Sequence, residues 1–196
     1  MKNKDISYDI LIRAINEKYE IMEMMKNANY FYEIFSVADI LISALKEEKK
    51  ILLAGNGGSA ADAQHFAAEI VGRYMLERKA MSAISLCTDP SVVTSIGNDY
   101  GFDYIFSRQI EGIGEPGDVF IGISTSGNSI NILKGIQTAK MKGIKTIGLL
   151  GNDGGRIGKE CENAIIVPSS NTARIQELHI FIIHILCELI EKELYN

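Results

Sequence analysis

Asp118-Val119-Phe120-Ile121-Gly122-Ile123-Ser124-Thr125-Ser126-Gly127-Asn128-Ser129 is the stretch on which the fold turns. It opens with a short apolar run, the pattern of a strand buried on both faces. It then passes directly into hydroxyl and glycine residues, with a helical stretch predicted from near Asn128. Four further apolar runs, Ile51–Ala54, Ser82–Leu86, Ile144–Leu150 and Ala164–Val167, alternate with helical stretches starting near Ser59, Pro90, Gly155 and Thr172. Such alternation predicts an α/β fold, a doubly wound five-stranded parallel sheet with helices on both faces.

Two helical stretches precede the sheet. Ile6 to Lys26 carries apolar pairs at Ile10/Leu11, Ala14/Ile15, Ile21/Met22 and Met24/Met25, and Phe35 to Glu47 carries Val37, Ile40, Leu41 and Leu45. Both show helical spacing with broad apolar faces. Standing before the first strand, they are not crossover helices. Their apolar faces are expected against either a second copy of the chain or the chain's own sheet. Lys49-Lys50 marks the boundary with the sheet region.

The 196 residues include 46% apolar and 23% charged side chains and three prolines, the make-up of a folded globular chain. A net charge of −5 and the lack of a basic run argue against a nucleic-acid partner. Cys87, Cys161 and Cys187 are widely spaced, with no CxxC pair, so reduced thiols in a cytoplasmic protein are expected. Met1–Asp5 is polar and no secretory apolar segment follows it. The most apolar stretch, Ile180–Cys187, is too short to span a bilayer, so no membrane role is expected.

In doubly wound sheets, ligands lie beyond the carboxyl ends of the strands. Three strands end there in Gly-, Ser- and Asn-rich loops: Gly55-Asn56-Gly57-Gly58-Ser59-Ala60, Ser124–Ser129 and Gly151-Asn152-Asp153-Gly154-Gly155. The Ser124–Ser129 loop joins a strand to a helix N-terminus, where free N–H groups and the helix dipole favour an anion. The hydroxyls of Ser124, Thr125, Ser126 and Ser129 add donors, and a phosphate monoester fits without a lysine. An ordinary capped turn would use the same residue types. Gly55, Gly57 and Ala60 satisfy a loose dinucleotide fingerprint, but the acidic residue expected about 20 positions later is missing.

His65, Glu69 and Arg73 follow at intervals of four on the helix after Gly58, which predicts a polar stripe on one face. A His and a carboxylate one turn apart can grip a metal or act as donor and base, and a solvated pair is the plain alternative. On the final helix, His184 stands among isoleucines and a phenylalanine, either as a core histidine with a hydrogen-bond partner or as a ligand. Gln176 and His184 are about 12 Å apart along that helix. Both reach one ion only by leaning toward each other, or from different copies of the chain.

Taken in order, Gly55–Ser59, His65 with Glu69, Gly72-Arg73-Tyr74, Gly97-Asn98-Asp99, Ser124–Ser129 and Arg174-Ile175-Gln176-Glu177 resemble the sugar isomerase (SIS) domain. More narrowly they resemble the bacterial sedoheptulose 7-phosphate isomerases. The likeness runs over nearly the whole chain and implies a single SIS domain, with 1–48 in an oligomer core and 49–196 as the α/β unit. It implies a homotetramer with active sites between subunits. It also implies zinc held by His65, Glu69, Gln176 and His184. The sugar phosphate would be bound by Asn56, Gly57, Gly58, Ser59, Glu69, Arg73, Asn98, Asp99, Ser124, Thr125, Ser126, Ser129 and Gln176. The implied product is D-glycero-D-manno-heptose 7-phosphate, a precursor of surface-polysaccharide heptose. Some members have an aspartate where this chain has Ala173, which removes one possible substrate contact.

The expected chemistry is enediol proton transfer, with Glu69 and His184 as catalytic residues and a divalent ion on the carbonyl. Two other readings stand beside it. One is a non-enzymatic SIS protein that regulates replication initiation, whose kind lacks the equivalent of His184. The other is an isomerase for a different sugar phosphate.

Overall fold

The computed structural model describes residues 4–195. Most of the polar Met1–Asp5 start, read from sequence as leader-free, therefore lies outside the described residues. Two helices, α1 (Lys4–Met25) and α2 (Ala28–Lys46), lead into five strands. These are β1 (Ile51–Gly55), β2 (Ala83–Ser85), β3 (Val119–Ser124), β4 (Lys145–Gly151) and β5 (Asn163–Val167). All pairings are parallel, in the order β2-β1-β3-β4-β5. β2 is a short edge strand, trimmed from the expected Ser82–Leu86.

The crossover helices are α3 (Gly58–Val71), α4 (Pro90–Asp99), α5 (Ser107–Ile113), α6 (Ile130–Met141) and α7 (Gly155–Glu160), and α8 (Thr172–Tyr195) closes the chain. The sequence pattern gave one helix between β2 and β3. The structure has α4, a 3-10 turn at Phe102–Tyr104, and α5. Gly101 and Gly114 divide that stretch into pieces too short for a helical period to show.

Successive strand residues point to opposite faces and feed two cores. Leu53, Ile121, Ile123 and Leu149 join α2, α3 and α8 on one face, whereas Leu52, Ala54, Phe120 and Leu150 join α5, α6 and α7 on the other. Of the two expectations for the leading helices, packing on the chain's own sheet holds for α2. α2 buries Val37, Ala38 and Leu41 against the chain's own sheet and α8. α1 buries Ile21 and Met25 but leaves Tyr8, Ile10, Leu11, Ile12, Ile15 and Tyr19 exposed.

The middle of α1 is tied to the first turns of α8. Arg174 Nη1 donates to the Ala14 carbonyl (2.9 Å) and Nη2 to Glu177 Oε1 (2.6 Å). Lys18 Nζ lies 3.7 Å from Glu177 Oε2, and Asn171 Nδ2 donates to Glu17 Oε2 at 3.1 Å. Among the described residues no single helix is long and apolar enough to cross a membrane, and the pair that passes by composition, Ser7–Met25 with Asn29–Lys46, is bent by 80°.

Candidate active site

The strand order reverses between β1 and β3, and the loops leaving these two strands stand side by side, with Gly55 in register with Ile123. A crevice at this reversal is where doubly wound sheets bind ligands. Two helix N-termini open onto it. Gly57, with φ +55°, turns the chain into α3, a left-handed conformation that glycine adopts without steric cost. Ser59 is buried in the first turn of α3, and its N–H donates to the Asn56 carbonyl.

Across the crevice, Ser124 Oγ and Ser129 Oγ are 3.0 Å apart, and Ser126 Oγ accepts from the Asn128 N–H. α6 begins two residues later than predicted, at Ile130, and its N-cap Ser129 makes no side-chain cap bond. Its hydroxyl is thus left facing Ser124 rather than closing its own helix. This is the donor-rich loop the sequence predicts for an anion.

α3 carries His65 and Glu69 one turn apart, with His65 Nε2 3.6 Å from Glu69 Oε1. His184 of α8 meets them within the same chain. Its Nε2 is 2.9 Å from His65 Nε2, and the two rings meet edge-on with centroids 5.1 Å apart. Two facing Nε2 atoms at that distance need one donor and one acceptor, or a cation between two lone pairs. The Tyr74 ring lies along the other side of His184, centroids 5.6 Å apart and 29° from parallel. Among the described residues, no group of three or more His, Cys, Asp or Glu forms a ready metal cage.

Gln176 enters from the first turns of α8 and packs on Gly58. A Cβ at position 58 would strike its Nε2 and stand 2.7 Å from its Cδ and 2.9 Å from its Oε1. Gly58 therefore reserves the space for this amide. Gly58→Ala is expected to fold with equal or slightly higher stability, because alanine favours a helix by about 1 kcal/mol over glycine. It is expected to displace Gln176 and lower turnover about tenfold, the scale of lost ligand support. Melting temperature and kcat measured side by side check this.

Three expected site residues stand apart from the His65 cluster within the single chain. Arg73 is not on the stripe, because α3 stops at Val71 and Gly72 turns the chain away; the exposed Arg73 pairs with Glu77 at 3.5 Å. Asn98 and Asp99 sit exposed at the end of α4 and bond to each other at 2.8 Å. Among the described residues, no hydrogen bond joins either of them to the His65 cluster or the Ser124 loop. Ala173, at the position where some relatives have aspartate, is exposed on α8 and donates its N–H to Asn171 Oδ1.

The structure adds residues the sequence reading passed over. His179, not His184, is the core histidine. It is fully buried, with Nε2 3.0 Å from the Leu150 carbonyl, and desolvation pushes its pKa down to about 4. Asp62, one turn before His65, is buried with Oδ2 unpartnered. Desolvation raises its pKa to about 6 against the opposing pull of His65.

Glu191 is buried on α8 and accepts the N–H groups of Tyr74, Met75 and Leu76 and Nε of Arg78, each at 2.8 Å. Arg78 in turn donates to the carbonyls of Glu69 (2.8 Å) and Ile70 (3.0 Å), closing the exposed end of α3. This pair fixes the end of α3 that bears Glu69 to the helix that bears His184. It also sets Tyr74 against His184.

Known proteins resemble this chain over most of its length. Residues 16–151 match the SIS domain family model. The phosphoheptose isomerase of Nitratiruptor sp. is 56% identical over 178 residues, covering 88% of this chain and 95% of that one. That of Clostridium acetobutylicum is 54% identical over 174 residues, 89% of each chain. Among solved structures, phosphoheptose isomerase from Neisseria gonorrhoeae superposes with a TM-score of 0.85 at 40% identity, covering 96% of this chain and 98% of that one. The Francisella tularensis enzyme superposes at 0.91 with 34% identity, over 95% and 98%. The family match, the identity above 50% and the superposition over nearly the full length agree, and the chain belongs to the phosphoheptose isomerases of the SIS-domain family, sugar-phosphate isomerases of aldose–ketose chemistry.

Proposed function

We propose that this chain interconverts sedoheptulose 7-phosphate and D-glycero-D-manno-heptose 7-phosphate, supplying heptose for a surface polysaccharide. The observation that carries the reading is the meeting of His65, Glu69 and His184 in one chain, beside the crevice between the β1 and β3 loops. The phosphate sits on the Ser124–Ser129 loop at the α6 N-terminus. The C1–C2 end of the sugar then extends to the cluster.

Glu69 removes a proton from C1 while His184 donates one to the C2 oxygen, giving an enediol. Return of a proton to C2 and loss of the C1 hydroxyl proton yield the aldose. His65, Glu69, Gln176 and His184 form a nitrogen-and-oxygen donor set of the kind zinc accepts. A bound divalent ion supplies Lewis-acid polarisation of the carbonyl. A carboxylate held tightly by an ion would be a poor base, so Glu69 would serve as base only when not tightly bound to it. The exposed apolar side chains of α1 support a homotetramer with sites near subunit boundaries, and the three unbridged cysteines support a cytoplasmic setting.

Purified protein incubated with sedoheptulose 7-phosphate is expected to form the aldose, to stop on chelation and to recover with added zinc. Absence of aldose sinks the substrate assignment. Turnover that is indifferent to the chelator sinks the metal assignment.

A further inference from the structure

Asn56 and Asn131 face each other across the crevice and exchange two hydrogen bonds. Asn56 Nδ2 donates to Asn131 Oδ1 and Asn131 Nδ2 donates to Asn56 Oδ1, both at 2.9 Å. Asn131 lies in the first turn of α6, only 3% exposed, and its Oδ1 also accepts the Ile132 N–H at 2.9 Å. That third bond fixes which end of the Asn131 amide is oxygen, and the reciprocal pairing then fixes Asn56. Asn56 stands just before the turn into α3, and its carbonyl holds the Ser59 N–H. The pair therefore joins the two helix N-termini that open onto the crevice. An amide alone supplies a donor and an acceptor on one flat group; an aspartate at either position would set acceptor against acceptor.

We propose that Asn131 is a positioning residue: through Asn56 it sets the spacing between the Gly55–Ser59 loop and the Ser124–Ser129 loop, and so the width of the anion pocket. Neither residue needs to touch the phosphate for this to hold. The proposal rests on the reading of that pocket as the phosphate site.

A double-mutant cycle on affinity for inorganic phosphate, measured by calorimetry, tests it. Asn56→Ala and Asn131→Ala are each expected to weaken phosphate binding about tenfold, and the double variant also about tenfold rather than a hundredfold, because both remove one shared bridge. A residue that only stabilises the fold lowers the melting temperature without such coupling. If Asn131→Ala fails to fold, Asn131→Ser replaces it: its hydroxyl can accept from Ile132 but is too short to reach Asn56. Losses that multiply in the double variant, or Asn131 variants within twofold of wild type, overturn the proposal. Wild-type protein that binds phosphate but does not convert sedoheptulose 7-phosphate would sink the substrate reading and leave the cycle to decide the bridge. Wild-type protein that binds no phosphate overturns both.

Discussion

Glu69→Gln is expected to fold as the parent does and to lose about 10²- to 10⁴-fold in kcat, the contribution of a positioned general base. The substitution keeps shape and volume and removes only the carboxylate's ability to take a proton. The scaffold around position 69 depends on its backbone, since the Glu69 carbonyl receives Arg78 Nη2, and that bond is untouched. The side chain is partly exposed and its contact is His65 at 3.6 Å, so folding does not hang on it. The measurement is kcat alongside the metal content of the purified variant. A metal-replete variant with near-parental turnover would remove Glu69 from the proton path. A metal-free variant whose activity returned with excess zinc would make Glu69 a ligand only.

The second large effect concerns stability. Glu191→Ala leaves Arg78 buried without its carboxylate and frees three backbone N–H groups, which is expected to cost about 3–5 kcal/mol. For a chain of this size that is a fall of roughly 10 °C in melting temperature. Burial alone would raise the Glu191 pKa. The N–H groups of Leu76, Met75 and Tyr74, with Arg78, outweigh that and hold it down at about 2.

The sign follows from the depressed folded value. The contribution is complete above the ordinary carboxylate pKa of 4.5 and is lost as pH falls toward 2. Acid unfolding of the parent should steepen in that window, and the Glu191→Gln variant should show a shallower slope there. An Ala variant melting within 2 °C of the parent would sink the structural role assigned to this carboxylate.

The strands were legible because each is a short apolar run between turn residues, and burial on both faces of a parallel sheet demands that pattern. The β1 and β3 loops were legible for a related reason: Gly, Ser and Asn at a strand's carboxyl end mark a tight turn into a helix. Convergence of His65 with His184 was harder to foresee. One lies midway along α3 and the other midway along α8, and only the packing of α3 against α8 brings them to 2.9 Å.

Arg73 misled because periodicity alone carries the stripe through Gly72, whereas the helix ends there. Glu191 left a signal that went unread, a carboxylate seven residues after His184, on the same helix face and within an apolar stripe. Asn131 left none. It is one more polar residue in a helix-opening turn, and its meaning depends on the loop opposite.

The tie between α1 and α8 carries one more implication. Arg174 and Glu177 flank Gln176 in sequence, and both grip the middle of α1, whose outer side bears Ile12, Ile15 and Tyr19 in the open. Any force on that outer side is therefore delivered to the helical turn that presents the Gln176 amide. A load on the outer face of α1 and the alignment of the Gln176 amide share a single lever.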